Sequence, residues 1–515
     1  MSKLVKIIIA AVIALLLIVG IGGAITYYLV KNTPKNTYLL SEQETAKKLQ
    51  DYGKDRFKNE FEFQNKLKDS SYLVNMNFSA DVPEELLKSS DIPKSTVDSS
   101  KINLKVGHDP DKNKSVLALN PTIADNEIGK FQWAANSKNQ YYEAPIFDDS
   151  YKAKNSELVD VYKKITGDSA SSSSYSSSSK YSSSKYSSTS SSQNNVTNDS
   201  LNLNTILSSA QISNDDLKDI GDHYSKFIVD KLDKDNFKKD NAKVTVDGKK
   251  EDVKKVTMKL SRGETKKLTV AVLKEAKKDS DIKKIAKDKF NNKSYKKSIN
   301  KALKDAKKAD SDEYPKITST IWEKDNQILK RNLLLKGQYG SDVKITGTSR
   351  ISDKKLFVDY KVKQRQDTFS IKGSSKKHGD NYTDKYTLGS KNSYKSDGIV
   401  ISNKEKHNGD NRTDKGSIKK KSKYDTASVK YNNVLNSDPK NNTQKQKLDI
   451  TTDVEDEPVT FTLDGNVKLK KPIKFSTSEA KDLNTMSDSD YKKAQKAISK
   501  NTGDLLKKLQ KDVKK

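Results

Sequence analysis

The feature that most constrains this chain is an unbroken apolar run near its start, from Ile7 to Val30. The run carries no charge, and about 20 apolar residues in a helix are enough to cross the hydrocarbon core of a bilayer. Lys3 and Lys6 precede the run, and Tyr27 and Tyr28 lie at its far end, which is typical of an interface anchor. The pattern predicts a transmembrane helix over residues 7–30.

A cleaved signal peptide is the competing interpretation of this run. The apolar region of a signal peptide has about 7 to 15 residues and is followed by a small-residue cleavage site. Here hydrophobicity resumes after Gly22 and Gly23, so the length favours an uncleaved anchor. Because only residues 1–6 precede the span, we expect this short head to lie in the cytoplasm and the body to be extracytoplasmic.

Composition excludes several classes of site. The chain has 515 residues and no cysteine. It therefore has no disulfide framework, no thiolate metal ligand, no cysteine nucleophile and no lipid-modified N-terminal cysteine. The length alone suggests two to four domains.

The charge of the chain is strongly basic. Lys and Arg total 98 against 69 Asp and Glu, a formal net charge of +29, and only six of the basic residues are arginine. Lysine is a hydrated point charge that reads nucleic-acid bases poorly. The excess therefore favours diffuse attraction to a polyanion, such as an anionic wall polymer or anionic lipid headgroups, over specific nucleic-acid recognition. An AT-rich genome would produce the same lysine bias.

The chain divides on either side of a serine-rich tract. The pattern over residues 38–165 predicts a first unit, with a helix over Tyr38–Leu67 followed by antiparallel strands. Ser41 with Glu44 predicts a capping box at the start of this helix. Residues 168–194 are nearly all Ser, Tyr and Lys, and so predict a disordered linker or loop. A sticky, wall-spanning segment is the alternative interpretation of this tract.

The pattern over residues 201–515 predicts a second unit. Apolar periodicity predicts helices over Ser213–Asp233 and Asp281–Ala309, and a last helix with Ser487 or Ser489 as its N-cap. Arg262 and Gly263 predict a turn, and Lys267–Leu273 is predicted to begin as a strand, with its passage into a helix left open. Between Pro315 and Phe475 the alternation predicts a long antiparallel meander with one packed face. The fold class is therefore α+β, with curved antiparallel meander units packed with amphipathic helices.

A curved sheet with few large apolar residues suggests an incompletely filled space beneath its helices. We expect an apolar pocket of roughly 300 to 1,000 Å³ there. The alternative is that the same side chains close-pack. The candidate lining residues come from one helix and two strands: Tyr224, Phe227, Ile228, Leu356, Val358, Tyr360, Phe369 and Ile371.

An internal repeat marks a second candidate site. KHGDNYTDK (Lys377–Lys385) recurs as KHNGDNRTDK (Lys406–Lys415), and each copy lies between strand-like runs. Gly, Asp and Asn suit tight turns, so the copies read as two loops at the same end of the meander. They form either a rim that binds a cation or a glycan, or two duplicated solvated turns. The rim candidates are His378, Asp380, Asp384, His407, Asp410 and Asp414.

Recognised catalytic motifs are missing from the sequence. There are four histidines, none at the H-E-x-x-H spacing, and there is no G-x-S-x-G elbow, P-loop or G-x-G-x-x-G motif. We therefore expect a protein that is not an enzyme and that uses no cofactor and no metal site.

The layout resembles uncharacterised single-span envelope proteins of Gram-positive bacteria. The resemblance rests on the span Ile7–Val30, the segments YLLSEQETAKKLQ, KKVTMKLSRGETKKLTVAVL and DSDIKKIAKDK, and the late meander. A curved sheet filled by helices is also similar to the lipoprotein-carrier half-barrels of the cell envelope. That resemblance implies an acyl chain held between sheet and helices.

Two functions follow as expectations. The first is a membrane-anchored, extracytoplasmic, non-enzymatic protein that binds an envelope ligand, such as a lipid or acyl chain, between a curved sheet and helices. The alternative is a structural or adhesive envelope protein that its basic surface holds to anionic wall polymers. An enclosed apolar cavity would favour the first function, and a filled core with a one-sided lysine face would favour the second.

Overall fold

The computed structural model describes residues 33–90, 92–166, 196–209, 214–288, 292–338, 342–392, 396–421, 427–477 and 479–513. The predicted head at 1–6, the predicted transmembrane helix at 7–30 and the serine-rich tract at 168–194 lie outside these ranges. Within them, no helix has the length and apolarity needed to cross a membrane.

The fold is α+β, with a large curved antiparallel sheet. The described ranges contain eleven α-helices: α1 Pro34–Arg56, α2 Lys58–Leu67, α3 Glu84–Leu87, α4 Lys94–Asp98, α5 Leu158–Thr166, α6 Leu203–Ser209, α7 Asn214–Lys231, α8 Arg262–Lys278, α9 Ser280–Asp288, α10 Asn292–Lys308 and α11 Asp488–Val513.

The described ranges contain twenty-one strands. They are β1 Tyr72–Asp81, β2 Lys101–Asp109, β3 Lys114–Ile123, β4 Asn126–Glu127, β5 Phe131–Ala135, β6 Asn139–Glu143, β7 Tyr151–Lys154, β8 Phe237–Val246, β9 Lys249–Leu260, β10 Lys316–Lys324, β11 Gln327–Lys336, β12 Val343–Ser352, β13 Lys355–Gln364, β14 Asp367–His378, β15 Asn381–Lys391, β16 Ser396–Asn408, β17 Asn411–Lys421, β18 Ser428–Asp438, β19 Thr443–Val454, β20 Glu457–Leu469 and β21 Lys481–Asp482.

The chain forms two compact units. Unit 1 contains the described residues of 33–68, 214–287 and 292–463, and unit 2 contains those of 69–209 and 464–513. This grouping differs from the predicted boundaries. Helices α1 and α2 belong with the long meander rather than with the first strands, and the C-terminal helix α11 belongs with β1–β7.

Unit 1 is a meander in which each strand pairs antiparallel with the next, from β8 through β19. The helices α8–α10 are inserted between the paired strands β9 and β10. The predicted antiparallel meander is confirmed. It could be predicted because the alternation of apolar and polar residues in a half-buried strand is visible in the local sequence.

Helix α1 packs its apolar side chains into the main core of unit 1. Thr33 caps it by accepting a hydrogen bond from the backbone N–H of Asn36, and Pro34 occupies its first turn. Tyr38 and Leu39 are buried, and the Tyr38 hydroxyl lies 2.6 Å from the Ser319 hydroxyl. The buried residues of this core are Tyr38, Leu39, Ile228, Val229, Leu232, Phe237, Val256, Met258, Leu260, Leu268, Ile317, Ile321, Ile328, Leu333 and Leu335.

Two helix starts differ from prediction. Helix α1 begins seven residues before Ser41, whose hydroxyl instead donates to the Thr37 carbonyl, because Thr33 and Pro34 supply the cap. The predicted turn at Arg262 and Gly263 is wrong, since both lie in α8. The strand predicted to begin at Lys267 is also wrong, whereas the helical alternative left open for Lys267–Leu273 is present.

The start of α8 has a clear physical cause. Ser261 and Glu264 form a reciprocal capping box, in which the Ser261 backbone N–H donates to the Glu264 carboxylate at 2.7 Å. This cap nucleates a helix through a β-branched stretch that local propensity alone would make a strand.

Some of the other predicted helices are present as predicted, and others are split into two helices. The prediction over Ser213–Asp233 corresponds to α7, whereas the single helix predicted over Asp281–Ala309 is two helices, α9 and α10. The Ser487 cap is present: its hydroxyl accepts from the backbone N–H of Asp490 at 3.2 Å. The Tyr38–Leu67 helix breaks at Phe57, which has φ −117° and ψ 35°.

Unit 2 is a smaller antiparallel sheet with two cores. Its strands are ordered β1–β2–β3–β5–β6–β7, and β21 runs parallel to β7. One core lies between β7, α5 and α11, where Ala153, Leu158 and Tyr491 are buried. The other joins β3 and β5 to the segment after β20 through Val116, Ala134 and Ile473.

Candidate ligand-binding site

One face of the unit 1 meander continues from the main core across seven further strands. Successive side chains on a strand point to opposite faces, so the pairing register decides which residues share a face. We call the face that carries the core the inner face. One cross-strand row on it, the inner row, runs through Val358, Gly373, Tyr386, Ile401, Ile418, Val429 and Thr452 on β13–β19.

The inner row contains no charged residue and is only partly covered. Helices α1 and α2 cover the end of the inner face that lies nearest the two repeated hairpin turns. Elsewhere large apolar side chains meet solvent: Phe369 is 58% exposed, Ile418 41%, Ile399 40% and Ile450 36%. Single exposed apolar residues are ordinary, but a contiguous set on one sheet face marks a binding surface.

A glycine–tyrosine–isoleucine triplet recurs three times across neighbouring strands of the inner face. In each triplet the glycine is directly opposite the tyrosine, and the tyrosine is opposite the isoleucine on its other side. A Cβ atom at Gly373 would lie 2.6 Å from Cδ1 of Tyr386, so the ring occupies the space that glycine leaves. The triplets are Gly347–Tyr360–Ile371, Gly373–Tyr386–Ile401 and Gly416–Tyr431–Ile450.

At the covered end of the inner face, Arg56 lies between two buried carboxylates. It is the last residue of α1, and its guanidinium Nη2 is 2.6 Å from both Asp384 Oδ2 and Glu405 Oε2. Its Nη1 also donates to the Ser375 hydroxyl at 3.3 Å. The fork shape of arginine suits such paired acceptors. The guanidinium also lies 4.8 Å from the ring centre of Tyr382, as a cation–π contact.

A second arginine, Arg412 on β17, extends this cluster. Its Nε is 3.1 Å from Asp414 Oδ2 and its Nη1 is 2.9 Å from Glu60 Oε1 on α2. The Phe57 ring lies 5.0 Å from each of the guanidinium groups of Arg56 and Arg412. The junction between α1 and α2 is thus held on the sheet by two arginines and one aromatic ring.

The electrostatics of the cluster follow from these contacts. Burial alone would raise the pKa of Asp414, but hydrogen bonds from Asn433 and Asn403 and the charge of Arg412 outweigh it and lower the pKa. Burial is also the largest influence on Arg56 and would lower its pKa, yet the two carboxylates raise it overall. Burial raises the pKa of Tyr382 to about 12.

Two cavities adjoin the cluster. The turn-end cavity, of about 270 Å³, is lined by Asp55, Asn59, Lys377, Asp380, His407 and Asp410, among others. The inner-face trough, of about 460 Å³, has an apolar floor and a polar wall. Its floor is formed by Ile418, Val429, Tyr431, Leu448 and Ile450, and its wall includes Arg56, Asn403, Arg412 and Asn433.

The wall of the trough retains unused hydrogen-bonding capacity. Asn403 donates through Nδ2 to Asp414 at 3.2 Å, but its buried Oδ1 accepts no hydrogen bond within the described ranges. A buried acceptor without a donor is costly. The trough therefore combines an apolar floor with polar anchoring groups at one end.

The eight predicted pocket residues do not form one pocket. The strand members share the inner face of β13 and β14, and Tyr360 is directly opposite Ile371. The helix members lie elsewhere: Ile228 is fully buried in the main core, and Tyr224 is buried on α7. None of the eight lines the turn-end cavity or the trough. The predicted lining combined α7 with β13 and β14, whereas α7 packs over the main core.

The predicted rim residues are mostly brought together. Asp380, His407 and Asp410 line the turn-end cavity, and the His407 Nε2 is 2.6 Å from Glu405 Oε1. Asp384 and Asp414 lie beside it in the arginine cluster: Asp384 binds Arg56, and Asp414 binds Arg412. His378 instead lies on the opposite face of β14, exposed to solvent. Within the described ranges no three His, Asp or Glu side chains are arranged to hold a metal ion.

The repeated turns have the geometry that glycine allows. Each joins its strands through two residues, and Gly379 and Gly409, the first residue of each turn, have φ of 60° and 59°. Glycine in the first position of a two-residue hairpin is the type II′ arrangement. The turns therefore fix the register that aligns Ser375 with Asp384 and Glu405 with Asp414.

Sequence reasoning missed Arg56, Glu405 and Arg412 as site residues. Arginine scarcity was the available signal: the chain has six arginines, and four of them form ion pairs with carboxylates. A fifth, Arg262, donates to three backbone carbonyls. In a chain that otherwise uses lysine, arginine marks positions that need a rigid multidentate donor.

Unit 2 contains a different histidine cluster. His108 is fully buried, with Nδ1 2.8 Å from the Ser115 hydroxyl and Nε2 3.0 Å from that of Ser208. Ser115 in turn donates to Asn204 Oδ1 at 2.5 Å. These contacts hold α6 on β2 and β3, so the cluster has a packing role in the core.

Comparison with known proteins gives no further guide, since no family model, no curated protein and no solved structure matches the chain.

Proposed function

We propose that this chain is a membrane-anchored, extracytoplasmic, non-enzymatic protein whose unit 1 binds a lipid or acyl chain along the inner row. The observation that carries this proposal is the uncharged, partly uncovered row across β13–β19. The apolar run at residues 7–30 supports the anchor, because α1 begins at Pro34, within a few residues of its end.

The dimensions of the row suit an acyl chain. Seven strands are separated by six spacings of about 4.8 Å, so the row is roughly 29 Å long. One leaflet of the hydrocarbon core is about 15 Å thick, so a whole acyl chain fits along it. The trough volume of about 460 Å³ also lies in the range typical of small-ligand sites.

The polar wall of the trough supplies a place for the headgroup. Arg412, Asn403 and Asn433 lie at one edge of the apolar floor. An acyl chain on the floor would bring its polar end to these groups. This arrangement favours an amphipathic ligand over a purely apolar one.

Photocrosslinking tests the proposal. The full chain in vesicles is given palmitic acid that carries a mid-chain diazirine, irradiated and digested, and the adducts are mapped by mass spectrometry. We expect adducts on the peptides that contain Ile401 and Ile418. Adducts confined to residues 7–30, or no adducts on β15–β19, would overturn the proposal.

Two matched variants sharpen the experiment. Ile418→Asp places a charge in the inner row at a 41% exposed position, and Ser417→Asp places it on the opposite face of the same strand. We expect Ile418→Asp to lower adduct formation at β16–β18 at least fivefold and Ser417→Asp to leave it unchanged. Equal labelling of the two variants would count against the inner row as the binding surface.

A further inference from the structure

The opposite face of the same strands, which we call the outer face, is a surface of lysines. Every lysine named here occupies an outward position on β14–β17 and is exposed. The pairing register places them in neighbouring rows interleaved with serine and threonine. They are Lys372, Lys376, Lys385, Lys391, Lys404, Lys406, Lys415, Lys419 and Lys421.

Charge is segregated between the two faces of these strands. All five acidic residues of β14–β17 occupy inner-face positions: Asp367, Asp384, Asp397, Glu405 and Asp414. The outer face of these four strands therefore carries nine lysines and no carboxylate. Lysine bias in the genome does not explain this segregation, because codon usage affects inward-facing and outward-facing positions of a strand equally.

Most of the outer lysines have no carboxylate partner among the residues that the structure describes. Of the nine, only Lys372 has a carboxylate partner in the described part of the chain, Asp359 at 3.1 Å. Lys404 is directly opposite Lys415 in the register. Like charges opposite each other destabilise a sheet, so an external anion across this pair would relieve repulsion that the fold itself leaves in place.

The side chains of the outer face favour a flexible phosphodiester polymer over a nucleic acid. Within β14–β17 the outer positions contain no Phe, Tyr, Trp or Arg, so the face lacks the stacking platforms and bidentate donors that nucleic-acid binding uses. Strand spacings of about 4.8 Å and residue repeats of about 6.8 Å give a two-dimensional array of point charges. A flexible chain of repeating phosphodiesters can follow such an array.

We propose that the outer face of β14–β17 binds a linear alkyl-phosphodiester polymer, the chemistry of teichoic acids. The site is independent of the inner row, since it uses the other face of the sheet. Each bound phosphate releases condensed counterions, so the affinity falls steeply with salt. The same strands thus offer an apolar face to one ligand and a cationic face to another.

Two quadruple variants with the same net charge test this proposal. The first carries Lys385→Gln, Lys404→Gln, Lys415→Gln and Lys419→Gln on the outer face. The control carries Lys274→Gln, Lys277→Gln, Lys278→Gln and Lys284→Gln, which are exposed lysines of α8 and α9. Binding of the full chain to purified poly(glycerol phosphate) is measured in non-ionic detergent over a range of salt concentrations.

The outer-face variant should bind at least tenfold more weakly at 0.15 M salt, where exposed charges are screened beyond roughly 8 Å. Its plot of log affinity against log salt should be shallower by about 3, as the loss of four phosphate contacts implies. The control should match the unchanged protein. Equal weakening of both variants would overturn the proposal, since net charge alone would then explain binding.

Two further probes define the partner. Double-stranded DNA and vesicles of phosphatidylglycerol are tested with the same proteins under the same salt conditions. The proposal expects the outer-face variant to lose affinity for poly(glycerol phosphate) by a larger factor than for either of these. An equal loss for DNA or for vesicles would reject the assignment to a phosphodiester polymer and indicate a nucleic-acid or membrane surface instead.

Discussion

Arg56 and Glu405 lie 349 residues apart in the sequence, and the partly buried guanidinium forms an ion pair with the buried carboxylate in which Nη2 and Oε2 are 2.6 Å apart. The pair joins the end of α1 to β16 at the edge of the inner-face trough. Asp384 shares the same guanidinium, so a single arginine lies between two carboxylates and weakens the repulsion between them.

Removal of this arginine should destabilise unit 1 strongly. We expect Arg56→Met to lower the free energy of unfolding by about 3–5 kcal/mol, because it leaves two buried carboxylates uncompensated. Urea unfolding is followed through Trp322 in a Trp133→Phe background. Lys47→Met, which removes an exposed pair with Asp51, is the control and should cost less than about 1 kcal/mol. Equal effects would show that the Arg56 cluster is not a structural anchor.

The stability of unit 1 should fall in acid partly through Asp414. Its pKa is lowered below the ordinary value of 3.8, so its contribution is complete above that value and is lost as pH falls through the lower folded-state pKa. Asp414→Asn should cost about 1–3 kcal/mol at pH 7 through weaker hydrogen bonds. The difference in free energy of unfolding between Asp414→Asn and the unchanged protein should become smaller as the pH falls from about 5 to about 2. Asp380→Asn, in an exposed turn, controls for the charge.

A constant difference for Asp414→Asn across this pH range would contradict the assignment of the lowered pKa. The measurement is the urea midpoint at each pH, again read from Trp322.

The glycine of a Gly–Tyr–Ile triplet should tolerate no side chain. A Cβ atom at Gly373 would lie 2.2 Å from the Lys385 carbonyl oxygen, which is backbone and cannot move away freely. Gly373→Ala should therefore destabilise unit 1 by about 1–3 kcal/mol. Gly263→Ala, where the nearest atom would be 4.0 Å away in the first turn of α8, should be neutral or stabilising. Thermal unfolding of both variants provides the comparison.

Protease protection addresses the predicted topology. If residues 7–30 span the membrane with residues 1–6 inside, protease added to intact protoplasts should digest the body. A tag placed before Ser2 should stay protected until detergent is added. Digestion of the tag with protection of the body would show the reverse orientation. This outcome is worth testing because two lysines lie before the span, Lys3 and Lys6, and two lie after it, Lys31 and Lys35.

Local patterns predicted the parts of the fold that depend on neighbours in sequence. The alternation in Leu356, Val358 and Tyr360 is enough to define β13, because a half-buried strand needs only period two. The same reasoning failed at α8, where the Ser261–Glu264 box overrides a strand-like stretch. It also placed the start of α1 too late, since Thr33 and Pro34 form the stronger signal.

Sequence alone therefore determined the α+β class, the long meander, the two repeated turns and the lysine excess, all of which follow from composition and short-range periodicity. Only the tertiary structure decided that Arg56 meets Glu405, that Tyr386 covers Gly373, and that nine lysines of β14–β17 lie on the face opposite to the five carboxylates of these strands. The physical reason is register: a shift of one residue in strand pairing exchanges the two faces, and no local pattern fixes which distant strand or helix supplies the partner.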